Sequence, residues 1–378
     1  MRRTELLIIG AGMIGVMTAK FLVDNGYKDI TIIEKNYPGS GGTFRCATGI
    51  RASFTSEEHV ELMKEAIDLW PKLAEQHNFQ YRRDGYIWLI SNEKDLDMFK
   101  RVVKFHHQHG VPTRIISPEE IREIVPTIRL EKIIAGVHDP LAGKADCFES
   151  LLKILRYLRD NGVKIHDHTL AEKIVVENDR AKGVETSRGF IEAEKILVAA
   201  GYGSKKILET AGIDIPMYNL PKHALITEAY KPLFKPLLID WDTASYIVQV
   251  IHGGFLIGAN IDEEPDKPAL NRIEYLYLAA KIWTKFFPWL SEVRVLRYWT
   301  GYYVMTPDHH PVIGPIGEVE NIYIATGFSG HGFMMSPVVG KIMAEYIIEG
   351  KTKNKNAERL SPARFKKGEL IKEIAVFG

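Results

Sequence analysis

Residues Leu6–Lys35 read LLIIGAGMIGVMTAKFLVDNGYKDITIIEK. Leu6–Ile9 is a short apolar run ended by glycine, the pattern of a buried parallel strand. Gly10, Gly12 and Gly15 follow as G-x-G-x-x-G. Gly10 permits a tight turn, Gly12 lets a pyrophosphate approach the backbone, and Gly15 lets helix and strand pack closely. Val16, Ala19, Phe21, Leu22 and Val23 then lay an apolar stripe along a helix that ends near Asn25-Gly26. Ile30–Ile33 is a second buried strand, closed by Glu34, whose carboxylate suits ribose hydroxyls. The helix N-terminus offers unpaired N–H groups and roughly half a positive charge. Strand, helix, second strand and terminal acid agree on an adenine dinucleotide.

The whole chain sets the bounds. Its 378 residues exceed what one compact core usually supports, so two domains are expected. A net charge near +1 argues against a nucleic-acid partner. The basic runs Lys351–Lys355 and Arg364–Lys367 read as solvated tail. No apolar run is long enough to span a bilayer, which suggests a cytoplasmic protein or one peripheral to a membrane. Cys46 and Cys147 are the only cysteines. They fit a reducing compartment and exclude a multi-cysteine zinc or iron–sulfur site within the chain, and no metal is expected. The few glutamines, Gln76, Gln80, Gln108 and Gln249, lean towards a thermophilic source.

Taken in order, a glycine-rich loop follows Glu34, then helices over Glu57–His77 and Glu93–His109, with a further helix start at Ser117-Pro118. His106, His107 and His109 read as an exposed helix end. Gly136–Cys147 contains Asp139-Pro140 and Gly143 and reads as a loop, with helix resuming over Phe148–Asn161. Lys164–Ala200 reads as short strands, the last ending in Gly201 before another helix. Leu220–Tyr230 and Tyr246–Ala259 alternate as antiparallel strands. Asn271–Phe287 is helical, Arg294–Tyr303 and Asn321–Thr326 are strands, and Pro337–Ile348 is the closing helix. The fold class is α/β (α+β overall), a Rossmann-type dinucleotide domain interrupted by a mainly antiparallel substrate domain. The expected division assigns 1–82, 143–218 and 301–378 to the dinucleotide domain, and 83–142 and 219–300 to the substrate domain.

Five segments together resemble one family: GAGMIG with Glu34-Lys35, GSGGTFRCATGIR at Gly39–Arg51, VAAGYGS, RYWTGYYVMTPDHHPVIGP and GFSGHGFMMSP. The chain resembles the D-amino-acid-oxidase-type FAD family in its glycine/sarcosine oxidase branch. Within that branch it looks most like the β subunits of archaeal L-proline dehydrogenase complexes. The resemblance implies non-covalent FAD held by Gly10, Gly12, Ile14, Gly15, Glu34 and Lys35. It adds Ser40, Thr43, Cys46, Ala47 and Gly49 along the flavin loop, Val175 beside the adenine, and Ala200 with Gly201. Gly301, Gly330, His331, Gly332 and Met334 would close over the isoalloxazine.

Three departures separate the chain from monomeric sarcosine oxidases. Gly301 stands where they carry the cysteine that attaches flavin, Met334 where a lysine meets substrate carboxylate, and Leu256 where a lysine promotes reaction with oxygen. The resemblance then implies oxidation of an amino acid or secondary amine, L-proline or sarcosine-like, by hydride transfer to flavin N5. Electrons would pass to a partner subunit or another non-oxygen acceptor, in an oligomer. A free-standing peroxide-producing oxidase and a flavin-bearing relay subunit without its own substrate stay open as alternatives. Arg51 is the expected carboxylate clamp, with Arg297 as the alternative. His223, Tyr246 and Tyr303 are the expected substrate-pocket residues.

Overall fold

The structure, a computed structural model, describes residues 2–374. Arg2–Ile9 forms the central strand of an eight-stranded sheet. Ile30–Ile33 and Lys164–His166 lie parallel on one side of it, Gly189–Val198 and Ile322–Thr326 on the other. Period-two alternation sends Leu6 and Ile8 to one face and Leu7 and Ile9 to the other. Both faces are buried, so the strand is apolar throughout its second half, as parallel strands in covered sheets must be. Helices Met13–Asp24, Glu57–His77, Cys147–Asp160 and Gly332–Glu349 supply residues to the core on the first face. The register matches Ile9 with Ile33 and with Val198, so three strands end level at one edge of the sheet.

A second eight-stranded sheet runs in the order Val295–Met305, Tyr218–Ala229, Gly254–Ala259, Ser245–Gln249, Leu237–Asp240, Tyr86–Ile90, Ala135–Asp139, Arg114–Ile116. It is antiparallel except between Leu237–Asp240 and Tyr86–Ile90. Helix Glu274–Phe286 covers one face through Tyr275, Ile282 and Trp283. The other face, with Tyr86, Trp88, Ala224 and Leu237, turns towards the first sheet's carboxyl edge. Gly49–Ile50, Gly143–Ala145 and Tyr81–Arg82 make a small third sheet. Among the described residues no helix is long and apolar enough to cross a membrane.

Several elements depart from the sequence reading. Gly136–Cys147 is not a loop: it carries strand residues on both sides of Pro140. Gly136 hides the alternation, because a side chain there would press on Ile121, Ile116 and Ile87. Tyr246–Ala259 is a hairpin, broken at Gly253 (φ +95°). The closing helix begins at Gly332 and runs through Pro337. Proline removes the N–H that the Phe333 carbonyl would accept, and the Ser336 hydroxyl donates to that carbonyl instead, at 2.7 Å. His106 is not part of an exposed helix end; it is buried and bonded to Thr113 and to the Phe54 carbonyl. Arg364 is likewise no solvated tail residue. It forms a buried two-point pair with Asp308, at 2.8 and 3.0 Å.

The closing helix crosses the first helix at Gly340, where a Cβ would lie 2.7 Å from the Met17 carbonyl carbon. Gly340→Val should therefore overpack the crossing and destabilise the protein by about 1–3 kcal/mol. Thermal denaturation checks this, and an unchanged midpoint would contradict the packing.

Candidate active site

A cavity of about 510 Å³ lies between the carboxyl edge of the parallel sheet and the inner face of the antiparallel sheet. Open α/β sheets place ligands at this edge. Here the backbone comes first. Gly10 adopts φ +112°, and a Cβ on it would overlap the Ala199 carbonyl. A Cβ on Gly15 would overlap the Gly10 carbonyl, so Gly15 packs the turn and does not itself line the cavity. The helix at Met13 starts without a side-chain cap and without an acidic residue in its first turn. Its Met13 N–H donates to Thr43 Oγ1 at 3.0 Å, and Ala11 N–H donates to Glu34 Oε2 at 3.1 Å. The glycine turn, the end of the second strand and the flavin-loop segment are thus tied together.

Segments far apart in the sequence converge on this space. Of the cofactor residues expected from sequence, Gly10, Gly12, Ile14, Glu34, Lys35, Ser40, Thr43, Cys46, Ala47 and Gly49 line it. So do Ala200, Gly201, Gly301, Gly330, His331, Gly332 and Met334. Val175 does not. It lies on the strand Ala171–Glu177 at the sheet's edge, with its backbone opposite Gly183. An adenine dinucleotide fits this frame: Cβ positions at Gly41, Gly42 and Gly201 meet nothing within 4 Å, and the uncapped helix end faces the same side. At Gly301 a Cβ would approach Arg45 Cδ at 3.1 Å, and Arg45 itself donates to the Ser40 and Gly41 carbonyls.

The four expected substrate residues also touch the cavity, in different ways. Arg51 is buried; its Nη1 donates to the Ser53 carbonyl at 2.6 Å and its Nη2 lies 3.3 Å from His331 Nε2. Its guanidinium stands 3.9 Å from the centre of the Phe54 ring. Burial lowers its pKa from the ordinary value. Tyr246 and Tyr303 each press their rings on a glycine, Gly258 and Gly330 respectively, and burial raises both phenols. His223 reaches the wall, but its ring nitrogens are engaged by Glu263 at 2.8 Å and Thr300 at 3.0 Å. Arg297 lies outside the wall, over Trp299. Leu256 also lies behind the wall, packed with Tyr86, Trp88, Ala224 and Leu237.

Other wall residues escaped the sequence reading. Tyr86 fills the space that a side chain on Gly49 would need. Trp88 and Trp241 stand in the same wall. Lys222 enters from the strand opposite Gly301, with Nζ 2.8 Å from Asn260 Oδ1, and burial lowers its pKa. Tyr86 and Trp88 occur as ordinary residues of an apolar strand and Trp241 in the turn after Leu237–Asp240, and nothing local marks them as facing a cavity.

Behind Arg51 lies a buried polar cluster. The His59 and His310 rings stack at 3.9 Å, 9° from parallel, and His59 Nδ1 lies 3.0 Å from Glu373 Oε1. His310 donates from Nδ1 to the Asp308 carbonyl at 2.6 Å, so its Nε2 accepts from Ser56 Oγ at 2.7 Å. These three potential ligands lie within 4.8 Å of one another. Parallel stacked rings point their lone pairs side by side, though, and both His310 nitrogens are already bonded. Hydrogen bonding accounts for the arrangement.

With this geometry in place, the family can be stated. The family described as FAD dependent oxidoreductase (DAO) matches residues 5–346, and the chain belongs to it. It is an FAD-dependent enzyme of the class that oxidises CH–NH bonds. The β subunit of sarcosine oxidase from Arthrobacter sp is 27% identical, the match covering 98% of this chain and 93% of that one. Mitochondrial dimethylglycine dehydrogenase from Rattus norvegicus is 26% identical over 92% of this chain and 43% of its own length. Among solved structures, L-proline dehydrogenase from P. horikoshii superposes with a TM-score of 0.93 at 38% identity, covering 98% of this chain and 99% of that one. Glycine oxidase from Bacillus cereus ATCC 14579 gives 0.84 at 25% identity, covering 94% and 97%.

Burial holds His59 and His310 near pKa 3 in the folded protein, with Arg51 further opposing charge on His59 and His59 opposing it on His310. Their ordinary value is 6.5, so between about 3 and 6.5 the unfolded chain binds more protons. Their contribution to stability is present above pH 6.5 and is lost as the pH falls towards 3. Burial raises Glu373, which acts in the opposite sense, so comparison with a variant isolates the histidine effect. Denaturant midpoints measured against pH should fall below 6.5 in the natural protein and less steeply in His59→Asn. Equal slopes would contradict a buried neutral His59.

Proposed function

We propose that this protein dehydrogenates a small amino acid at its amine-bearing carbon, with L-proline or a sarcosine-like secondary amine as substrate. The observation that carries this reading is Arg51, a buried guanidinium at the cavity wall with Tyr86, Tyr303 and His331 around it. A carboxylate brought into such a place without a cation would cost several kcal/mol, and Arg51 supplies the cation. Bound FAD would supply the hydride acceptor for the substrate carbon, with a non-oxygen species as the final electron acceptor.

This chain's own residues bind and orient. Arg51 holds the carboxylate by charge-assisted hydrogen bonds. Tyr246 and Tyr303, whose phenols burial holds still further from ionisation, form walls that exclude water and admit a small apolar ring. His223, with its nitrogens bonded to Glu263 and Thr300, sets the position of its strand. Gly10, Gly12, Glu34 and Thr43 would hold the dinucleotide's phosphates and ribose, and Gly330, His331 and Gly332 would close on the flavin. On this reading 1–82, 143–218 and 301–378 carry the cofactor, and 83–142 and 219–300 carry the substrate.

The 38% identity to L-proline dehydrogenase over nearly the whole chain supports proline. The likeness to a sarcosine oxidase subunit supports a partner subunit as the electron acceptor. Leu256 adds no argument on the acceptor, because it packs behind the wall and does not line the cavity. One observation favours a second reading, an oxidase: Lys222 places an ammonium in the cavity wall.

Anaerobic mixing of the purified chain with a panel of amino acids, followed by flavin absorbance, tests the substrate. Bleaching by L-proline or sarcosine is expected; none with either overturns the reading. Stoichiometric oxygen uptake during turnover would select the oxidase. Arg51→Met should lower kcat/KM by roughly a hundredfold, mainly through KM, while flavin is retained. Steady-state kinetics on that variant check the clamp, and unchanged kinetics would remove it.

A further inference from the structure

Cys46 and Cys147 are the only cysteines in the chain, and the fold brings them together. The antiparallel pairing of Gly49–Ile50 with Gly143–Ala145 matches Gly49 with Lys144 and Ile50 with Gly143. The Ala145 N–H donates to the Thr48 carbonyl at 3.2 Å, which extends the ladder by one pair. The ladder stops there, at Thr48 (φ +62°), and Cys46 and Cys147 each lie two residues beyond that last bonded pair. The neighbouring side chains agree, for Phe44 and Phe148 stack at 4.3 Å beside the cysteines. The two thiols are near enough for Cys46 to raise the pKa of Cys147. A disulfide asks for Cβ atoms roughly 3.5–4.5 Å apart, and the bonded Thr48–Ala145 pair and the stacked Phe44–Phe148 pair hold the two segments together on either side of the cysteines.

The two thiols differ in access. Cys46 is half-buried and lines the cavity, whereas Cys147 is buried at the first turn of its helix. Its pKa is raised by the Cys46 thiol and by burial. A solvent-borne oxidant therefore meets Cys46 first, with Cys147 in place behind it, the arrangement of an attacked and a resolving cysteine.

We propose that Cys46 and Cys147 form a redox site that closes to an intrachain disulfide when a hydroperoxide reaches the cavity. The Cys46 thiolate attacks one peroxide oxygen. The O–O bond breaks, hydroxide leaves, and Cys46 becomes a sulfenic acid. The Cys147 sulfur then attacks the Cys46 sulfur, the S–O bond breaks, and water leaves with the Cys147 proton. Two thiols lose two electrons and two protons, and hydrogen peroxide is reduced to two waters. The new bond ties the flavin loop to helix Cys147–Asp160 across about a hundred residues of chain, a constraint that restricts the unfolded state. The inference stands on the two thiols and holds whichever amine is the substrate.

The test uses the FAD-loaded protein, reduced with dithiothreitol, desalted, and exposed to a small excess of hydrogen peroxide. The expected result is loss of both thiols titratable after denaturation, and a mass lower by two hydrogens. A single linked peptide should contain Cys46 and Cys147, and dithiothreitol should restore both thiols. Cys147→Ser under the same treatment should gain oxygen on Cys46. Persistence of both thiols, oxygen added to Cys46 of the natural protein without the link, or covalent dimers between chains would each overturn the proposal.

Discussion

The close approach of Gly10 to the Ala199 carbonyl is the constraint on which this molecule turns. It is possible only without a Cβ, and it lets two parallel strands end level while the chain between them reverses into a helix. Everything that faces the cavity from the nucleotide side depends on that level edge. Glu34 ends one neighbouring strand, Ala199-Ala200 ends the other, and Thr43 reaches the helix N-terminus from the loop.

The antiparallel sheet meets this edge with a different chemistry. Its inner face is aromatic, and its tyrosines fit because glycines stand opposite them: Tyr86 over Gly49, Tyr246 over Gly258, Tyr303 over Gly330. Glycine therefore does two jobs here. On the nucleotide side it opens backbone to a ligand, and on the substrate side it makes room for rings. Arg51 lies buried where the two sides meet. The His59–His310 stack and Glu373 pack behind it, so the C-terminal segment contributes to the wall supporting the site.

Much of this was legible from local pattern. Gly10, Gly12, Gly15 and Glu34 announce a dinucleotide fold through spacing alone, and helix Glu57–His77 is bounded by its apolar period. The glycine-rich GFSGHG segment, singled out from the sequence, lines the cavity. Where local pattern misled, a single residue masked it. Gly136 hid a strand, Pro337 delayed a helix start, and His106 looked solvent-facing because its neighbours are polar.

The sequence by itself determined the two strand–turn–helix elements, the helices, and the residues whose short-range spacing has one physical use. Only the tertiary structure decided which distant residues meet. Cys46 comes near Cys147 because the pairing of Gly49–Ile50 with Gly143–Ala145 brings their two segments side by side. His310 stacks on His59 and Arg364 pairs with Asp308 because the chain's last turns return beneath the helix that starts at Glu57. His223 turns to Glu263 because pleating sends alternate side chains to opposite faces. Periodicity is carried by neighbours along the chain, whereas register and crossing are set by packing between segments tens to hundreds of residues apart.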